Sequence, residues 1–150
     1  MVDATLFASQ LMNGLVLGFL FVLIAVGMSI IFGMLGLVNF AHGAFFALGA
    51  YLALSLRPYI GFVGALVLAP ILVGAISLAV ERLLLRPLYD KEPLLSLLLT
   101  FGLALFIEEL LRTIWGAMGH PFDTPAFLAG FVHYGPVFVT RYRLSVLIIT

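Results

Sequence analysis

Charge is spaced along this chain so that long uncharged intervals remain. No formal charge lies between Asp3 and Arg57, an interval of 53 residues. A bilayer crossing needs about 20 apolar residues for about 30 Å of hydrocarbon. The interval is too long for one crossing and suits two. Residues 58–80 form a second uncharged stretch of 23 residues, the length of one crossing. A third begins at Pro93, and its apolar character continues past Glu108 and Glu109 to Trp115. Residues 144–150 open a further apolar run. The runs are continuous and do not alternate apolar with polar, which excludes the short strands of a membrane barrel. Helices satisfy their own backbone groups in hydrocarbon, so each run is predicted helical. The expected elements are helix one over about 9–32, helix two over about 39–56, helix three over about 61–85 and helix four over about 94–115. A loop rich in Gly, Pro and aromatics follows over about 116–140. Pro70 predicts a kink in helix three. Asp3 precedes the first run with no basic segment before it, and the run is too long for a signal peptide, so it is read as a retained span.

Composition strengthens this picture. The 150 residues are 64% hydrophobic and 9% charged, where a soluble domain is nearer half apolar and about a quarter charged. A soluble enzyme, a nucleic-acid binder and a disordered chain are excluded. The formal net charge is +0, so no basic field exists to attract nucleic acid. Cysteine is absent, which removes disulfides and thiolate metal sites. The expected fold class is all-α: a polytopic helical membrane protein of about four spans plus the start of a fifth, with residues 1–150 forming one transmembrane domain. The loop over 81–93 gathers Arg82, Arg86 and Lys91. Compact basic loops favour the cytoplasm. Arg57, Arg141 and Arg143 then fall outside and tie the count. The short loop decides the orientation preferred here.

Candidate chemistry concentrates in residues 27–49, GMSIIFGMLGLVNFAHGAFFALG, with five glycines. Gly33 and Gly36 loosen the end of helix one, and Asn39 is a good N-cap for a new helix. Interrupted helices in transporters present free backbone groups to substrate. The plainer reading is a tight turn between two spans. His42 is the one histidine within the 53-residue interval. It binds a ligand group or, more simply, makes a structural hydrogen bond. Gly14 and Gly18 form a GxxxG pair suited to close helix contact. Glu108 and Arg112 stand four apart in the order that favours an ion pair, with Glu109 three from Arg112. They line a pathway, or neutralise one another near the headgroups with Trp115 as an anchor. Thr100 and Gly102 are small or polar and are expected to face other helices. No GxxxxGK[ST], HExxH or GxSxG occurs, so no catalytic residue and no metal site are assigned.

Asn13-Gly14, residues 27–32 and GMLGLVNFAHG at 33–43, followed by LGAYLA at 48–53, ERLLLRPL at 81–88 and LLLTFGLALFIEELLRTIWG at 97–116, resemble the LivH-type permease subunits of bacterial branched-chain amino acid ABC transporters. NFAHG is the most specific part. Urea and short-amide permeases share these motifs. The resemblance implies a multi-pass permease of the bacterial inner membrane. It would pair with a second permease subunit, two cytoplasmic ATPase subunits and an extracytoplasmic substrate-binding protein. It implies no cofactor in this chain, ATP being used by the partners. Asn39, Phe40, Ala41, His42 and Gly43 occupy the characteristic stretch and are the candidate substrate-pathway or helix-break residues. Gly14, Gly18, Gly33 and Gly36 are the candidate packing residues, and Glu108, Glu109 and Arg112 the candidate intramembrane charges. Such permeases have further spans and a loop that docks on the ATPase, so this chain is expected to be the N-terminal half of one. A small channel or a scaffold subunit needing no ATPase is the alternative from another class.

Overall fold

The computed structural model describes residues 2–36, 38–119, 130–134 and 137–149. Its elements are α1 (Val2–Leu35), α2 (His42–Val80), a π turn (Glu81–Leu85), a 3₁₀ turn (Arg86–Leu88), α3 (Pro93–Trp115), β1 (Phe131–Tyr134), β2 (Val137–Thr140) and α4 (Arg141–Ile149). The chain divides into two compact units, residues 28–121 and residues 1–27 with 122–150.

Among the described residues three helices are long and apolar enough to cross a membrane: Ser9–Met34, His42–Leu88 and Pro93–Trp115. The middle one, at 47 residues, would extend about 70 Å if straight, more than twice the hydrocarbon thickness. It is not straight. Gly61 has φ 72° and ψ 176°, inside a helix otherwise of helical backbone. That conformation is essentially reserved for glycine. The two arms, 42–60 and 62–80, fold back on each other. A Cβ on Gly49 would sit 3.5 Å from Val73 Cγ2, and these two positions lie symmetrically about Gly61. Val73 and Val80 of the second arm pack on the cluster of Phe45 and Leu48 in the first. The predicted helices two and three are therefore the two arms. Their break falls at Gly61 and not at Pro70, which keeps helical φ/ψ. In hydrocarbon a helix tolerates the donor that proline lacks, because neighbouring groups re-satisfy the freed carbonyl.

α3 closes the larger unit. Pro93 occupies its first turn after Glu92 (ψ 130°), where a missing N–H costs nothing. Gly116, at φ 86°, ends it and donates its N–H to Arg112 O at 2.8 Å. Ile107 and Leu111, one turn apart, pack on Ala41, Phe45 and Leu48, which follow the helical spacing of the first arm. Phe40 meets Phe101 near one end, and Tyr51 meets Trp115 near the other. α3 thus runs parallel to the first arm, and the three helices alternate in direction.

In the other unit β1 and β2 pair antiparallel, with Phe131 opposite Thr140 and Tyr134 opposite Val137. This hairpin occupies part of the segment expected to be a loop. Its alternation is too brief, at four residues per strand, to stand out among aromatics and glycines. The Arg141 N–H donates to Gly130 O at 3.0 Å. α4 begins at Arg141, three residues before the expected fifth apolar run, and reaches Ile149. Residues 120–129 of the expected loop lie outside the described residues. α1 extends beyond its expected limits at both ends, and its membrane-length window is 0% buried. Large apolar side chains such as Phe7, Phe21, Val22 and Ile30 are exposed along it. Lipid solvates such a face as readily as another apolar helix does.

Candidate functional site at the Asn39 break

α1 stops because Gly36 enters the left-handed region at φ 65° and donates its N–H to Phe32 O at 2.8 Å. Gly33 stays inside the helix, so only Gly36 ends it. The next helix is started by Asn39, whose Oδ1 accepts the Ala41 N–H at 3.0 Å. The His42 N–H donates to Asn39 O at 3.2 Å, a tight first turn, and the Phe45 N–H to Ala41 O at 2.9 Å. Asn39 thus forms an Asx turn just ahead of the helix. The N-cap position is Ala41, which makes no side-chain cap hydrogen bond, so the expected N-cap role of Asn39 is replaced by a turn two residues earlier.

The candidate residues of NFAHG point in different directions. Ala41 is 0% exposed and joins the core. Asn39 is half-buried and lines a small internal cavity. Phe40 is exposed, its ring edge-on to Phe101 at a centroid distance of 6.2 Å and an angle of 84°. His42 is half-buried and Gly43 exposed. A Cβ on Gly43 would meet no atom within 4 Å. The structure therefore gathers Asn39 and Ala41 on the inward side and leaves Phe40 and Gly43 outward. The same open space surrounds Gly14, Gly18, Gly33 and Gly36. Among the described residues, then, the glycine that brings two helices together is Gly49 and not the GxxxG pair.

The cavity beside Asn39 has a volume of about 20 Å³ and is bounded by Ile31, Val38, Asn39, Leu85, Tyr89, Ser96 and Thr100. The lining is mostly apolar, and α3 contributes two hydroxyl-bearing residues to it. Ser96 and Thr100 are 1% and 2% exposed and stand one turn apart on one helix face. Thr100 Oγ1 donates to Leu97 O at 3.1 Å. Ser96 Oγ has no partner among the described residues. The opposite wall is the connector from α2. There the Arg86 N–H reaches back five residues to Glu81 O, the hydrogen bond of a π turn. Tyr89 closes the connector by donating its hydroxyl to Glu81 Oε1 at 3.0 Å. Burial raises the Tyr89 phenol above its ordinary range, and the hydrogen bond to the Glu81 carboxylate adds to this, so it stays a donor.

The acidic and basic groups of α3 lie near its other end. Glu108 and Arg112 form an ion pair on an exposed face, with side chains 56% and 58% exposed. Glu109 is exposed as well. Trp115 turns inward: its indole N–H donates to Ser55 Oγ at 3.0 Å, and its ring lies 5.3 Å from that of Tyr51. It pins α3 to the first arm and is not an outward anchor. Ser96, Tyr89 and Ser55 were not singled out from sequence. A polar pair four apart in the leucine-rich run LLSLLLTF was the signal available for Ser96. Among the described residues no group of three or more His, Cys, Asp or Glu is placed to hold a metal ion.

Comparison with known proteins follows this arrangement closely. The family described as branched-chain amino acid transport system / permease component matches residues 10–150. The high-affinity branched-chain amino acid transport system permease protein LivH of Escherichia coli K12 is 30% identical over 117 residues. Its Salmonella typhimurium counterpart is 28% identical over 117 residues, and BraD of Pseudomonas aeruginosa is 30% identical over 113. Each match covers 69% of this chain and 37% of the relative. No solved structure matches the chain. Broken apolar helices of membrane length and a family match along nearly the whole sequence agree: this chain is a multi-pass membrane protein and belongs to the permease-component family of branched-chain amino acid transport systems.

Proposed function

We propose that this chain forms the membrane-spanning part of a permease subunit in an ABC importer for branched-chain or other hydrophobic amino acids, in the bacterial inner membrane. The observation that carries the reading is the Asn39 break between two membrane-length helices, within a chain matched to the permease family over residues 10–150. Non-helical backbone at such a place is tolerated where protein covers it or where it lines a cavity. Here it borders a small, mostly apolar cavity that Asn39, Ser96 and Thr100 help to line. The relatives' names supply the substrate class, branched-chain amino acids.

The proposal assigns this chain no catalytic residue and no cofactor. No phosphate-cradling GxxxxGK[ST] loop occurs in the sequence, so ATP is bound and hydrolysed by two separate cytoplasmic subunits. A second permease subunit completes the pathway, and an extracytoplasmic binding protein delivers the amino acid. The basic connector, with Arg82, Arg86 and Lys91, sets the Asn39 end on the cytoplasmic side.

Reconstitution of the full-length polypeptide with the ATPases, second permease and binding protein encoded beside it tests this. Uptake of radiolabelled leucine into proteoliposomes is expected to require both ATP and the binding protein. Uptake that persists without ATP identifies a facilitator and refutes the importer. Uptake of urea with none of leucine refutes the substrate class.

A further inference from the structure

The cavity beside Asn39 combines three features that an apolar void lacks. Ser96 Oγ is buried, at 1% exposure, and has no partner among the described residues. Thr100 Oγ1 donates to Leu97 O and so retains its lone pairs for a further donor. Asn39 spends its Oδ1 on the Ala41 N–H, and its amide nitrogen carries two donors. All three side chains bound one cavity of about 20 Å³. A single water needs about 10–15 Å³ and two to four polar partners. An engineered cavity with no polar group on its wall stays dry, whereas one of this size with polar partners in reach has room for a water. A buried hydroxyl left without a partner is destabilising, and a shared water removes that cost.

We propose that this cavity is a binding site for one structural water molecule, which accepts from the Asn39 amide nitrogen in the break, donates to Thr100 Oγ1 and shares a hydrogen bond with Ser96 Oγ on α3. The occupant is water and not a cation, because the cavity offers hydroxyl and amide groups, with no carboxylate on its wall. The water ties the start of α2 to α3 without a direct side-chain bond between them. Such a link lets the break shift against α3 by exchanging one water contact for another. This site is independent of which solute the protein carries.

Ser96→Ala in the intact, detergent-solubilised complex distinguishes a wet site from a dry one by sign. With water bound, the hydroxyl is a used partner, and the thermal midpoint is expected to fall by about 2–4 °C. In a dry cavity the substitution deletes an orphan hydroxyl, and the midpoint stays or rises, which overturns the proposal. A double-mutant cycle of Ser96→Ala with Asn39→Ala is expected to show coupling, since both residues share the water. Strict additivity overturns the proposal. A high-resolution map of the complex is expected to show a density peak about 2.6–3.2 Å from Ser96 Oγ. An empty cavity in that map refutes it.

Discussion

The two ends of the helical unit spanning residues 28–121 are built in opposite ways. At the Gly61 end every device is direct. One glycine turns the chain, the Trp115 indole donates straight to Ser55, and Tyr51 packs on the same ring. At the Asn39 end nearly every element leaves ideal helix. α1 stops at a left-handed glycine, α2 starts through an Asx turn, its far arm runs into a π turn, and a buried hydroxyl lacks a protein partner. π turns and interrupted helices cluster where proteins work. The contrast sets direct side-chain contacts at one end against departures from ideal helix at the other, within three helices that share one apolar core.

The largest effect is expected where a single residue carries a whole turn. Gly61→Val forces a β-branched side chain into φ 72°, at a cost of about 3 kcal/mol or more. Accumulation of the protein in membranes, followed by immunoblot, should fall sharply. Normal accumulation would show that the hairpin does not depend on that backbone conformation. A smaller effect is expected at the Trp115 hydrogen bond. Ser55→Ala is expected to cost about 1 kcal/mol. Combining it with Trp115→Phe should add little to the loss from Trp115→Phe alone, as thermal unfolding can measure. Full additivity would detach the two residues and weaken the contrast. The smallest effect is expected at the exposed ion pair. Glu108→Gln is expected to change stability by about 0.5 kcal/mol or less, as exposed pairs do. A loss of several kcal/mol would instead place Glu108 and Arg112 in hydrocarbon or against a partner helix.

Much of this was legible in the charge pattern. The gaps between Asp3, Arg57, Glu81 and Glu92 located four helical segments, and α3 fell within one residue of its expected range. Charge spacing works because a charge in hydrocarbon is costly and so marks the ends of each crossing. The position of the bend was less legible. Pro70 is the stronger helix breaker by propensity. Yet the chain turns at Gly61, because reversal needs positive φ and proline cannot supply it. A turn at Asn39 could be read from residue type, but its Asx form ahead of an Ala41 N-cap and its neighbours could not. Ser96 and Tyr89 lie 57 and 50 residues away in sequence, and only the folding of α2 back on itself brings them near. Trp115 resembled an interfacial anchor because helix-end tryptophans commonly are. Its partner Ser55 sits 60 residues away, beyond any local pattern. The brief hairpin of β1 and β2 escaped for a different reason, since four residues per strand carry too little periodicity to register.

The most direct test of the contrast is leucine uptake by the reconstituted importer carrying Asn39→Ala, beside the same complex carrying Ser55→Ala. Loss of the Asn39 side-chain hydrogen bond to the Ala41 N–H costs about 1 kcal/mol, close to the cost expected for Ser55→Ala, so the two variants are matched in stability. With protein levels equalised by immunoblot, uptake is expected to fall strongly in Asn39→Ala and to hold near wild type in Ser55→Ala. Equal uptake in both variants would contradict the assignment of the Asn39 break as the working end.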